Sequence, residues 1–135
     1  MPELKDKIKG ASQQQLILML YEGAIRFAGE SKERMQAKDK PGAHDKITRA
    51  QNIVLELLYA LDMKAGGAVA ENLSSLYKYV YHRWVEADIH QSTERVEEGV
   101  GIMRGLKDAW TQALDNLDRK VAEDAKEKES PKVPS

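Results

Sequence analysis

The sequence predicts an all-α protein: an antiparallel four-helix bundle with a short N-terminal segment and a disordered, charged C-terminal tail. Three observations predict it. Apolar residues recur at intervals of three and four through four successive stretches. Short clusters carrying Pro, Gly, Asp or Ser separate those stretches. No run shows the strict alternation of a strand, and no low-complexity tract or internal repeat competes with the helical period. Four amphipathic helices joined by short loops are expected to pack up and down around one core.

The first helix starts where Ser12 and Gln15 have the spacing of a capping box. Leu16, Leu20, Gly23, Ala24, Phe27, Ser31 and Met35 trace its face to about Ala37, and Lys38-Asp39-Lys40-Pro41-Gly42 breaks it. A second helix from about Ala43 carries Ile47, Ala50, Val54, Leu57 and Leu61, and is expected to stop at Ala65-Gly66-Gly67, where glycine can take the left-handed conformation. The third, from about Ala68 to Ala87, points Val69, Leu73, Leu76, Tyr77, Val80 and Trp84 inward. Ser92 or Thr93 caps the fourth, with Glu94, Glu97 and Glu98 near the positive end of its dipole. Its stripe is Val96, Val100, Met103, Leu106, Ala109, Ala113 and Leu117. Helices of roughly 20 to 27 residues are about 30 to 40 Å long. Beyond about Lys120 the period stops, so residues 1–120 are expected to form one domain and 121–135, charged and holding Pro131 and Pro134, a disordered tail.

Composition removes whole classes of function. A chain of 135 residues can bury roughly 68 to 70% of its unfolded surface, enough for a core without a metal or disulfide. Its 21 basic and 22 acidic residues give a net charge of -1 and are mixed along the chain, so there is no electrostatic footprint for nucleic acid. The absence of cysteine excludes thiol chemistry and fits a cytoplasmic protein. Met1-Pro2-Glu3-Leu4-Lys5-Asp6 has no signal-peptide core, and no window is apolar enough to span a membrane, so membrane insertion is not expected.

Catalytic and metal chemistry find little support. His44, His82 and His90 form no Glu-x-x-His pair of the kind a bundle di-metal site uses, and they read as caps, loop or solvated residues. Glu97 and Glu98, or Glu71 and Glu86, could do acid-base work, yet carboxylates among lysines on a helix read as a solvated face. Gly99, Gly101 and Gly105 lie within a helical pattern and read as points of close helix approach, since no phosphate-binding loop or nucleophile elbow is present. No cofactor, metal or catalytic residue is expected.

Apolar surface in excess of one core stripe is what remains. Leu16 to Phe27 is apolar around almost its whole circumference, with Ile17, Tyr21, Ile25 and Ala28 forming a second row. Tyr79 and Tyr81 lie off the core face of the third helix. Such surface marks a partner site, and a wider core stripe is the plain alternative for any single residue.

Five blocks then carry a resemblance. They are Leu16 to Phe27; Lys46-Ile47-x-Arg49-Ala50-Gln51-x-Ile53; Leu61-Asp62-Met63-x-x-Gly66-Gly67-x-x-Ala70-x-Asn72-Leu73-x-x-Leu76-Tyr77-x-Tyr79; Glu86-Ala87-Asp88-Ile89; and Asp108-Ala109-Trp110. In order and spacing, from about Ile8 to Leu117, they resemble the flagellin-specific export chaperones, the FliS family. The resemblance implies a non-enzymatic cytoplasmic chaperone that binds the disordered C-terminal segment of flagellin, prevents its premature polymerisation and aids delivery to the flagellar type III export gate. It implies client contacts at Ile8, Met63, Gly66, Gly67, Asn72 and Tyr77, with Ile8 in an N-terminal segment that can lie over the groove, and the second row of the first helix adds Ile17, Tyr21 and Ile25 as candidate contacts. Two positions depart from the family pattern: Gln13 stands where the family usually has proline, and the family's upstream tyrosine has no counterpart among Pro2 to Lys9. A monomer or weak dimer is expected. The alternatives are a histidine phosphotransfer bundle, for which His82 with Arg83 and Trp84 beside it is a poor fit, and a self-associating structural bundle.

Overall fold

The computed structural model describes residues 12–129, so Ile8 and the rest of the expected N-terminal segment lie outside the described residues, as do 130–135. Four helices follow one another: α1 (Gln13–Gln36), α2 (Lys40–Tyr59), α3 (Met63–His90) and α4 (Thr93–Glu129). Connections of two or three residues force each to run against its predecessor. Each helix packs on two neighbours, α1 on α2 and α4, and α3 on α2 and α4. The predicted all-α antiparallel bundle is the observed fold.

The caps explain the helix starts. Ser12 Oγ accepts from Gln15 N at 3.2 Å while Gln15 Oε1 accepts from Ser12 N at 3.3 Å, which closes the expected capping box. At α2, Asp39 accepts from Gly42 N at 3.0 Å, and Pro41 stands in the first turn, where its missing donor loses nothing. The turn before it uses Lys38 at φ 61°. Ser92, rather than Thr93, caps α4 by accepting from Arg95 N at 3.2 Å.

Packing follows the predicted faces of α1 and α2. Leu20, Ala24, Phe27, Ser31 and Met35 are buried, as are Ile47, Ala50, Val54 and Leu57. The buried Ser31 hydroxyl donates to the Ala43 carbonyl at 2.7 Å, so this polar group is paired inside the core. Trp84 is fully buried and donates from Nε1 to the Val96 carbonyl at 3.2 Å. A Cβ on Gly99 would stand 2.2 Å from that indole nitrogen, so α4 can approach Trp84 only with glycine there.

Four expectations are corrected. The Gly66-Gly67 pair does not end α2, which stops at Tyr59. Asp62 instead opens α3 by accepting from Lys64 N at 3.1 Å and Ala65 N at 3.0 Å, and Gly67 breaks that helix one turn later at φ 52°, ψ -132°. The inward face of α3 is Ala70, Ser74, Tyr77, Val80, Trp84 and Ala87, leaving Val69 at 68% and Leu76 at 37% exposure. The stripe of α4 runs through Val96, Val100 and Met103 to the half-buried Leu106, Trp110 and Leu114, whereas Ala109, Ala113 and Leu117 face outward. Helix α4 also passes the expected stop near Lys120 and continues to Glu129. Its helix formers Ala122 and Ala125, and the spacings Asp115/Arg119 and Lys120/Asp124, sustain a helix whose side chains from Asp115 to Lys126 are all exposed.

Candidate functional site

One end of the bundle is left open. The start of α1, the end of α2, the first turns of α3 and Trp110 of α4 enclose a cavity of about 480 Å³. Its apolar wall is supplied by Ile17, Leu57, Leu61, Val69, Leu73 and Trp110, with Tyr21, Tyr77, Ala60, Ala65, Gly66 and Ala70 beside them. Gln13, Gln14 and Asp62 are its remaining lining residues, so no cationic side chain among the described residues faces it.

The geometry has local causes. Gly67 turns the first turn of α3 aside, which exposes Val69 while Ala70 turns inward. Gly66 is held close to the succeeding turn, where an added Cβ would meet Ala70 Cβ at 2.6 Å. Trp110 Nε1 donates to the Gln14 carbonyl at 3.0 Å and fixes the indole across the mouth of α1.

Inside the cavity the rings of Tyr21 and Tyr77 lie with centroids 6.3 Å apart, and their hydroxyls meet at 2.5 Å. Both residues are 2% exposed. Burial pushes both phenols above their ordinary range, and for Tyr77 the bond to Tyr21 adds to the rise. The pair therefore stays neutral and bonded at any physiological pH.

Of the expected contact residues, Ile17, Tyr21, Gly66 and Tyr77 come together on this cavity. The second row of α1 is not the free surface that the sequence suggests, because Tyr21 and Ala28 are buried in the core and Ile17 and Ile25 are half-buried against it. Ile25, Met63, Gly67 and Asn72 are not among the lining residues. Met63 and Asn72 are exposed beside the rim segment of α3. Leu57, Leu61, Val69, Leu73 and Trp110 are lining residues that were not expected as contacts. Asp62 ahead of Met63-Lys64-Ala65 is an N-cap signature, and it would have placed the helix start and with it Val69.

Outside the cavity the surface mixes polar groups with a few exposed apolar side chains, among them Ile89, Leu117 and Val121. Tyr79, expected as a second exposed aromatic, donates its hydroxyl to Glu98, and Arg83 Nη2 stands 2.7 Å from the same carboxylate. That hydrogen bond from Tyr79, then the one from Arg83, holds the Glu98 carboxyl below its usual range. His44 Nδ1 lies 2.5 Å from Asp88 Oδ2, while His82 and His90 are exposed. Among the described residues no group of three His, Cys, Asp or Glu is placed to hold a metal ion, and no helix is long and apolar enough to cross a membrane.

Fold and cavity together define a helical bundle whose distinctive surface is an open apolar cleft, the kind of site that takes a ligand by burial. Comparison with known proteins makes this specific. The family model described as flagellar protein FliS matches residues 2–117. The flagellar secretion chaperone FliS of Escherichia coli K12 is 30% identical over 112 residues, covering 82% of each chain. That of Campylobacter jejuni is 33% identical over 105 residues, covering 78% of this chain and 82% of its own. That of Salmonella typhimurium is 31% identical over 110 residues, covering 81% and 82%. The chain belongs to the FliS family of flagellar secretion chaperones.

Proposed function

We propose that the chain is a cytoplasmic, non-enzymatic export chaperone that binds the disordered C-terminal segment of flagellin, keeps it from polymerising early and aids its delivery to the export gate. The observation that carries this reading is the open apolar cavity between α1, α2 and α3, on a protein whose family is flagellar secretion chaperones. A filament subunit's end segment is amphipathic and would associate with its own kind if left free. Laying its apolar face into a groove removes that face from competition. A wrapped segment can bury roughly 1,000 to 3,000 Å² and forfeits about 2 to 5 kcal/mol or more in ordering, which permits tight but reversible capture. Reversibility suits a client that must be handed on. A cytoplasmic monomer or weak dimer is the form we expect to bind.

Calorimetric titration with the C-terminal segment of the host's flagellin, beside a scrambled peptide, tests the reading. The expected result is saturable one-to-one binding with a negative heat-capacity change. Val69→Asp, at an exposed lining position, is expected to weaken it without unfolding the bundle. Absence of binding to any flagellin of the host would overturn the proposal.

A further inference from the structure

The Tyr21–Tyr77 pair leaves a proton to account for. Two phenols carry two O–H donors, and one of these is consumed between the two oxygens. The other has no acceptor among the described residues, although both side chains are almost completely buried. Among the described residues, the other polar side chains lining the cavity sit apart from this role. Asp62 is occupied by Lys64 N and Ala65 N, the Trp110 indole N–H by the Gln14 carbonyl, and Gln13 and Gln14 are exposed. The cavity that both rings line is where an acceptor for the second proton can enter.

Resting on the chaperone reading above, we propose that this tyrosine pair is a specificity element that reads one uncharged amide oxygen of the bound segment. A carboxylate is a poor occupant, since among the described residues no Lys, Arg or His lines the cavity to compensate its burial, and Asp62 opposes it. An entirely apolar occupant would displace water from the second proton and give nothing back. An amide oxygen satisfies it without charge. In a helical client most backbone carbonyls are already used, so the oxygen comes from an Asn or Gln side chain or from one of the last carbonyls of a client helix. The pair thereby sets the register of the segment in the groove.

The test is affinity for the flagellin C-terminal segment with the Tyr21→Phe/Tyr77→Phe double variant. Replacing both partners by apolar rings of the same shape leaves the bundle close to its original stability, so a thermal melt is expected to move little. Affinity is expected to fall by about five- to tenfold, the scale of one neutral hydrogen bond. Two arms identify the source of the oxygen. If client Asn→Ala or Gln→Ala abolishes the difference between wild type and double variant, the oxygen is a side-chain amide. If a backbone ester at a helix end does so, it is a main-chain carbonyl. A second measurement needs no variant: phenolic proton resonances are expected to show one exchange-protected hydroxyl in the free protein and two in the complex. A double variant that binds as tightly as wild type, or a complex with one protected hydroxyl, overturns the inference. Failure of the wild-type protein to bind the segment at all overturns the chaperone reading instead.

Discussion

The two ends of this bundle are built from the same helical period and differ in what covers the apolar residues. At one end Phe27, Ser31, Met35, Ala43, Ile47, Ala50, Trp84, Ala87, Val96 and Val100 are at most 5% exposed. At the other, Ile17, Leu61, Leu73, Leu106 and Trp110 are only partly covered, and Tyr59, Met63 and Val69 stand out at 78%, 48% and 68%. Small residues explain the closed end, because Ala43, Ala50, Ala87 and Gly99 let backbones approach until the large rings are sealed. The open end has large residues but a broken helix facing them, at Gly67. The closed end is therefore the more completely packed half, and the surface available to a partner lies in the other.

The sharpest way to break this contrast is to empty the closed end. Trp84→Ala is expected to cost about 3 to 5 kcal/mol in urea denaturation, enough to unfold a marginal domain. Gly99→Ala, which drives a methyl toward the same indole, is expected to cost about 1 to 3 kcal/mol by the same measurement, with altered Trp84 fluorescence. A loss under 0.5 kcal/mol would show that the closed end is not sealed.

At the open end, Gly67→Ala places a side chain at φ 52°, ψ -132°, a conformation that L-residues rarely adopt, and is expected to cost about 1 to 3 kcal/mol. The loss should appear as faster amide exchange at 63–66 while amides of Ile47 to Val54 remain protected. Equal loss of protection at both ends would mean that they unfold as one unit. Val69→Ala is expected to change stability by no more than about 0.5 kcal/mol.

The smallest effects are titrations. The phenols of Tyr21 and Tyr77 are raised above the value of 10.0 that they have in the unfolded chain. Their contribution is complete below pH 10 and declines as pH rises beyond it, because the unfolded chain then loses protons that the folded one keeps. Denaturation midpoints measured between pH 9 and 11 are expected to fall more steeply for wild type than for the double phenylalanine variant. Glu98 has the opposite sign: its lowered value gives a contribution present above the unfolded value of 4.5 and lost as pH falls through the folded one.

How much of this was legible in the sequence follows the same division. The capping box at Ser12 and the faces of α1 and α2 could be read, since local hydrogen bonds and uninterrupted period decide them. The inward face of α3 could not, because Ala70 and Ser74 occupy it while the more apolar Val69 and Leu76 face out. Hydrophobicity pointed to the wrong side once Gly67 had reset the phase. Along α4, alanines at 109 and 113 matched the period but Trp110 and Leu114 hold the interior side. The apolar second row points to Ile17 and Tyr21 as contacts and the resemblance to Gly66 and Tyr77, yet their convergence on one cavity depends on three helices meeting. No single stretch records that.

Helix α4 has 37 residues against 24 in α1, and Trp110 already lies beside Gln14 at the start of α1. The interior side of α4 ends at Leu114, so about 15 residues (115–129), or roughly 22 Å at 1.5 Å per residue, run on past the bundle. An isolated helix of that length must form its own costly first turn, but here the packed part of α4 serves as the nucleus and each further residue needs only propagation. The overhang is therefore expected to grow in the cold and shorten on warming, below the melting of the bundle that seeds it.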